Sequence, residues 1–328
     1  MSYPTFNPNL PIILPDWQGN PLSAEGRYRN LGGPSERSMR EVMRWQSGAR
    51  PQKAEKKADT WRMDVRDGDD FFKNDADGLV WLGHASFLIR LGGKLLLIDP
   101  VLGNVGPLKR RSPLPFSVDR LKNIDYILLS HNHRDHADLP SFKQICKQNP
   151  QTPILTGLRI STLIGKLTQQ NLIQEAGWWQ QYDTGDSGLE ITYLPAKHWN
   201  RRGLFDLNEM LWGAFMIRYK GKSVFFGADS GYDAHFKTLG AHFPKPDLCL
   251  LGIGAYSPQW FMNTSHTNPE ETVQAFHDLG GSRLLPMHYG TFDLSDEPFG
   301  EPFRWMKGLE SSVQGGLCLA IPGEVVPL

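Results

Sequence analysis

From Leu79 onward the chain alternates short apolar runs with turn residues. "LVWLG", "SFLIRL" and "KLLLIDP" read as three strands in close succession, the last two joined at Gly92-Gly93. "IDYILLS" reads as a fourth. A helix over Leu139–Lys147, a strand at Pro153–Leu155 and a helix over Leu158–Thr168 follow. Further strands are expected at "LEITYLPA", "WGAFMIRY", "SVFFGAD", "LCLLGIGA" and "RLLPMHY". "NPEETVQAFHDLG" carries its own helix punctuation, with Asn268 as cap, Pro269 at the first position and Gly280 as stop. An α/β fold of two mixed sheets with helices on the outer faces accounts for this series. Polar residues fall at the strand ends, where such folds place their sites.

Residues 1–75 follow another pattern, rich in Pro, Gly, Arg and Lys. "SERSMREVMRWQSG" predicts one short helix, capped by Ser35 and striped by Met39, Val42, Met43 and Trp45. "ARPQKAEKKAD" reads as solvated linker. The expected organisation is an arm of residues 1–75 packed on a catalytic body of residues 76–328.

The chemistry concentrates where the fourth strand ends, in "LSHNHRDHAD". In an extended segment His131 and His133 share one side, and Asp135 and His136 then turn to another, which suits two adjacent cations better than one. Imidazole and carboxylate donors suit Zn²⁺, and Mn²⁺ and Fe²⁺ occupy similar donor sets. One loop cannot complete two sites. His198, Asp229 and His288 each follow another apolar run directly, and the carboxylate of Asp229 is able to bridge two cations. His84, between two strands, reads either as a group hydrogen-bonded behind the ligands or as a core histidine. His266, just before a helix, reads as a substrate contact or proton donor in preference to an ordinary loop residue. His235, His242 and His277 have no companions and read as surface or packing residues.

Taken in order, "WLGHASFLI", "HNHRDH", "PAKHWNRRG", "GADSGY", "IGAYSPQWFM", "SHTNPEE" and "MHYGTF" resemble the metallo-β-lactamase fold. Within it they resemble the N-acylphosphatidylethanolamine-hydrolysing phospholipases D and their bacterial relatives. The resemblance runs from Gly78 to Leu328 and is looser before that. It implies an αβ/βα four-layer sandwich and a dinuclear zinc hydrolase. One zinc would be held by His131, His133 and His198, a second by Asp135, His136 and His288, with Asp229 between them. Asp135, Asp229 and His266 would then serve catalysis, and His84 would stand behind the metals. The implied reaction is phospholipase D-type cleavage of a phospholipid phosphodiester by a shared water whose pKa two cations lower toward ~7. His266, at the ordinary pKa of an imidazole, would supply the leaving group's proton.

The totals narrow the alternatives. Lys+Arg and Asp+Glu number 35 each, so formal net charge is zero and no nucleic-acid partner is expected. The run Lys109-Arg110-Arg111 reads as solvated charge, and Trp178-Trp179 as core. Three widely spaced cysteines make no disulfide framework. The opening "MSYPTFNPNLPIILPDWQGN" lacks the pattern of a secretory signal, so a cytoplasmic protein in peripheral contact with a membrane, with a homodimer as the oligomer to test, is the expectation. A lactonase or other carbonyl hydrolase would use the same ligands. A nuclease, an iron redox protein and a non-catalytic lipid-binding protein fit less well: Asn132 stands where redox relatives tend to carry a carboxylate.

Overall fold

Thirteen strands in two sheets organise the computed structural model, which describes residues 3–168, 171–185, 188–243, 245–314 and 316–328. The first sheet is built from β1 (Gly78–Gly83), β2 (Ser86–Leu91), β3 (Lys94–Ile98), β4 (Tyr126–Leu129), β5 (Ile154–Gly157), β6 (Ile173–Ala176) and β13 (Val325–Pro327), in the order β13-β1-β2-β3-β4-β5-β6. The second holds β7 (Gln180–Gln181), β8 (Leu189–Leu194), β9 (Ala214–Tyr219), β10 (Lys222–Phe226), β11 (Leu248–Gly252) and β12 (Leu284–Met287), in the order β12-β11-β10-β9-β8-β7. Both sheets are mixed. β3 through β6 run parallel, as do β10, β11 and β12, while the remaining pairs are antiparallel.

The apolar runs are unbroken because the strands are buried on both faces. Along β1, Leu79 and Trp81 point into the core shared by the two sheets, whereas Val80 and Leu82 point to an outer core beneath α3 (Leu139–Gln148). Over the second sheet, α5 (His235–His242) contributes Phe236 and Leu239, and α7 (Pro269–Leu279) contributes Val273, Phe276 and Leu279. The punctuation of α7 is as expected: Asn268 and Glu271 form a reciprocal cap, and Gly280 ends the helix at φ 64°. Cys146 and Cys249 are buried free thiols, Cys318 is a half-buried one, and Trp178 and Trp179 are core. Among the described residues no helix is long and apolar enough to cross a membrane.

Several local expectations are corrected. The arm helix α1 (Met39–Ser47) is capped by Ser38, whose hydroxyl accepts the Glu41 N–H. Ser35 is buried instead and accepts from Asn30 Nδ2 at 3.0 Å. The linker contains a short helix, α2 (Lys53–Ala58). Only one turn, α4 (Ser161–Ile164), forms where a longer helix was expected, because Arg159 takes a left-handed conformation (φ 71°) and Gly165 ends the turn. Arg110 is not solvated: it donates to the carbonyls of Leu82, Val101 and Ser112, and burial lowers its pKa to about 10. Two further helices, α6 (Gln259–Met262) and α8 (Glu301–Gly308), precede and follow α7 and β12.

The arm runs across both sheets. Ile13 N donates to Trp179 O (2.8 Å), and Tyr28 N donates to Asn208 O (3.0 Å). Trp61 packs on Tyr289 and Phe303, and Arg66 N donates to Pro322 O (2.9 Å).

Candidate metal centre

The strand ends named above meet at one edge of the two sheets. Because β3 pairs parallel with β4, with Ile98 opposite Leu128, both chains leave the sheet on the same side, one into Asp99 and the other into Ser130 and His131. β8 leads to His198, β10 to Asp229 and β12 to His288. The β1–β2 turn presents His84. His84, Asp99 and His288, together with Ala228 beside Asp229, hold φ between 40° and 63°.

Two four-residue donor clusters result, overlapped by two groups of three, Asp99, His131 and His136, and Asp229, His266 and His288. In the first, His131, His133, His198 and Asp229 each bring a ligand atom within 4.8 Å of the others. His133 Nδ1 lies 3.1 Å from His131 Nε2 and 3.0 Å from His198 Nε2. In the second, His84, Asp135, His136 and His288 meet within the same limit. Asp229 faces both. Its Oδ2 is 3.8 Å from His131 Nε2 and 3.7 Å from His198 Nε2, while its Oδ1 is 3.2 Å from His136 Nε2 and 3.0 Å from His288 Nε2. All seven residues expected as metal ligands are therefore brought together. His84 stands behind them, with Nε2 3.0 Å from Asp135 Oδ2.

Hydrogen bonds on the far side of the rings fix which nitrogen faces inward. His136 Nδ1 donates to Asp99 Oδ2 (2.8 Å), and His198 Nδ1 donates to Ser265 O (3.0 Å). His131 Nδ1 donates to Ser130 Oγ (2.9 Å), and that hydroxyl donates to Asp99 Oδ2 (2.5 Å). Asp99 thus orients two imidazoles. It was missed in the sequence, although "KLLLID" carries the signal used for the other ligands, a polar residue directly after an apolar run. Arg202 was missed too. Its Nη1 donates to Asn132 O (2.8 Å) and Ala137 O (2.7 Å), closing both ends of the His131–His136 loop.

The donor set fits divalent cations. His136 Nε2 and His288 Nε2, the nitrogens that face the donors, are buried and close to Asp229 Oδ1 but make no hydrogen bond of good geometry. Buried nitrogens of this kind are costly unless a cation takes their lone pairs. Electrostatics point the same way. Burial, with neighbouring imidazoles, holds His131 and His198 well below the ordinary value. His133 falls to about 4 by burial. Burial alone would raise Asp229, yet His136, His288 and His266 hold it well below the usual carboxylate range. Asp135 is lowered likewise by His288 and His84 against its burial. Most donors are thus in the form that binds metal. The exceptions are His136 and His288, where the carboxylate of Asp229 outweighs burial and raises the imidazole, His288 to about 9.

His266 lies at the side of the site, Nδ1 3.9 Å from Asp229 Oδ2. Burial takes its pKa down to about 4, so the expectation of an imidazole at its ordinary value is not met. His235 is not without company: it is buried, and its Nε2 donates to Ser230 Oγ (3.1 Å). A cavity of about 360 Å³ opens above the donors. His133, Asp135, Asp229 and His266 form its floor; Arg37, Val42 and Trp45 of the arm, Trp199, Arg201, Phe261 and Met262 form its walls. Trp45 stacks on Phe261 with centroids 4.8 Å apart, and Arg37 Nε donates to Phe261 O (2.6 Å).

Comparison with known proteins places this architecture. Residues 94–289 match the model of the beta-lactamase superfamily domain. The chain is 32% identical over 256 residues, 74% of its length and 72% of the relative's, to the N-acyl-phosphatidylethanolamine-hydrolyzing phospholipase D 1 of Caenorhabditis elegans. It is 33% identical over 68% of its length, and 49% of the relative's, to the mitochondrial protein of the same activity name from Saccharomyces cerevisiae. Among solved structures, the metallo hydrolase Igni18 of Ignicoccus hospitalis superposes with a TM-score of 0.60 at 21% identity, covering 77% of this chain and 98% of that one.

Proposed function

Since the chain belongs to the beta-lactamase superfamily and is a metal-dependent hydrolase of the metallo-β-lactamase fold, we propose that it is a two-zinc phosphodiesterase of phospholipase D type, acting on N-acylphosphatidylethanolamine-like phospholipids. The observation that carries this reading is the juxtaposition of two donor clusters sharing Asp229 with a cavity walled by apolar side chains, by Arg37 and Arg201 and by Glu36. A phosphodiester needs its negative charge met and its chains kept out of water. Arg201 would supply the first, Arg37 being held by Phe261 O, Glu41 and Asn263, and Val42, Trp45 and Phe261 the second. The similarity to phospholipases that hydrolyse N-acylphosphatidylethanolamine supports the same substrate class.

His131, His133 and His198 would hold one cation, Asp135, His136 and His288 the other, and Asp229 would touch both. When bound, the pair supplies a nucleophile at neutral pH and neutralises charge on the phosphoryl oxygens. Asp99 and Ser130 keep the ring nitrogens of His136 and His131 turned inward. Neutral at physiological pH, His266 contributes a ring N–H to a substrate oxygen at the cavity floor, where a fixed donor favours developing negative charge.

The test is product analysis by mass spectrometry from zinc-loaded protein. The panel holds N-acylphosphatidylethanolamine, phosphatidylethanolamine, an aryl phosphodiester and an acyl lactone, with Asp135→Asn as control. Phosphatidic acid formed only by the intact site is the expected result. Lactone opening without phosphodiester cleavage would replace this reading with that of a carbonyl hydrolase.

A further inference from the structure

Arg110 lies behind the second donor cluster, largely buried and with no carboxylate partner among the described residues. A guanidinium taken out of water without a counter-charge is costly, and its hydrogen bonds have to offset that cost. Those bonds reach three separate segments. Nη2 donates to the carbonyl of Leu82, just before His84, and Nη1 donates to Val101 O (2.8 Å), just after Asp99. Nε donates to Ser112 O (2.9 Å). Gly83 (φ 99°) permits the approach, because a Cβ there would stand 2.6 Å from Arg110 Nη2.

Each segment leads to a group that orients the second cluster. Ser112 Oγ donates to Thr291 Oγ1 (3.1 Å), and the same oxygen accepts the His84 N–H (2.8 Å). The His84 carbonyl accepts from Trp81 Nε1 (2.9 Å) and His288 N (3.1 Å), and its ring holds Asp135 Oδ2 at 3.0 Å. Phe292 fills the space between, 6.0 Å from the Arg110 guanidinium and edge-on to the His84 ring at 5.1 Å. On the other branch, Ser86 Oγ donates to Asp99 O (2.6 Å) and accepts the Val101 N–H (3.1 Å). The chain beyond Asp99 is thus fixed by Ser86 on one side and Arg110 on the other, and Asp99 orients His136. The first cluster is tied in less. His198 rests on Ser265 and Asn30, and His131 is reached only through Ser130.

We propose that Arg110 is a positioning residue for the second cation: its fork locks the His84 turn and the Asp99 segment together, and so sets the geometry of Asp135 and His136. A planar guanidinium suits this task because it donates in several fixed directions, which the point charge of an ammonium does not. The inference rests on the two-cation reading and needs no substrate.

The test is zinc titration of full-length, metal-free protein against a chromogenic chelator, with the metal-free Tm measured alongside. In Arg110→Met one of the two zinc ions should bind about 10–100-fold more weakly, and the other within about threefold of wild type. Arg110→Lys keeps the charge but loses the fork, and the same ion should stay about tenfold weak. Two backgrounds identify that ion. With His198→Ala, which leaves the second cluster, the loss caused by Arg110→Met should persist. With His288→Ala, which leaves the first, it should shrink below about threefold. Ser112→Ala removes only the branch through Thr291 and should weaken the same ion about threefold, which tests the proposal even if Arg110→Met does not fold. Equal weakening of both ions with a lowered Tm would make Arg110 a structural residue and overturn the proposal. Full zinc affinity in Arg110→Lys, or in Ser112→Ala, would overturn it too. Those outcomes leave the two-cation reading intact, whereas a single zinc in the wild-type chain would fail that reading, and this proposal with it, before any variant is made.

Discussion

Asp229 and Asp99 divide the work at the scale of single residues. Asp229 presents one oxygen to each donor cluster, and Asp99 turns imidazoles toward them. Asp99→Asn leaves a neutral side chain of the same size, so the fold should persist while metal affinity falls about 10–100-fold, measured by competition with a chromogenic chelator. His266→Ala should lower turnover about 10²-fold with metal content unchanged; loss of metal in that variant would make His266 a ligand. The raised pKa of His288 sets a pH dependence. Its folded value, about 9, exceeds the ordinary value of 6.5. Its contribution to the stability of metal-free protein is therefore complete below pH 6.5 and disappears as pH rises through about 9. The metal-free Tm should fall across that window, while metal affinity rises because protons no longer compete. A metal-free Tm that rises there contradicts the assignment. The seven ligand positions were legible because His131, His198, Asp229 and His288 each end an apolar run, and His133, Asp135 and His136 share the dense polar loop that His131 opens. Asp99 obeys the same rule, but a lone aspartate before Pro100 also reads as an ordinary strand stop.

Among the elements, the strands that form the interior were readable, since burial on both faces leaves uninterrupted Val, Ile, Leu and Phe runs. The polar edge strands β6 and β7 were not. β6 is "IQEA" and β7 is two glutamines, held by pairing with a neighbour and by the arm, through the Ile12–Gln180 bridge, and not by their own apolar content. Helix α1 shows a related limit. Its partial stripe predicts burial, yet no residue of it is fully buried; Val42 and Trp45 are half-buried because they wall the cavity, and Met39 and Met43 remain exposed. A helix that lines a substrate site carries an apolar stripe for the substrate's sake as much as for the core's. Trp45→Ala should thus raise KM for long-chain phospholipids several-fold and leave kcat for a short aryl phosphodiester near the wild-type value. An equal loss on both substrates would mean that the stacking on Phe261 serves the metal floor instead.

The whole molecule is a body of two sheets with an arm that completes it. Trp179, Tyr289 and Phe303 of the body are covered by Ile13 and Trp61, and Asn30 of the arm grips a metal ligand's backbone. An arm is expected from the sequence, but a composition rich in Pro, Gly and charge concealed which of its residues anchor it, because they act through hydrogen bonds and single aromatic contacts and not through periodic apolar faces. The central claim concerns how many cations the assembled centre holds. It is tested most directly by elemental analysis of the full-length protein, dialysed to equilibrium with zinc and then gel-filtered, alongside Asp229→Asn. Two zinc ions per wild-type chain, with fewer in Asp229→Asn, is the result predicted from a carboxylate facing both clusters. A single zinc per wild-type chain, unchanged by the substitution, would contradict it.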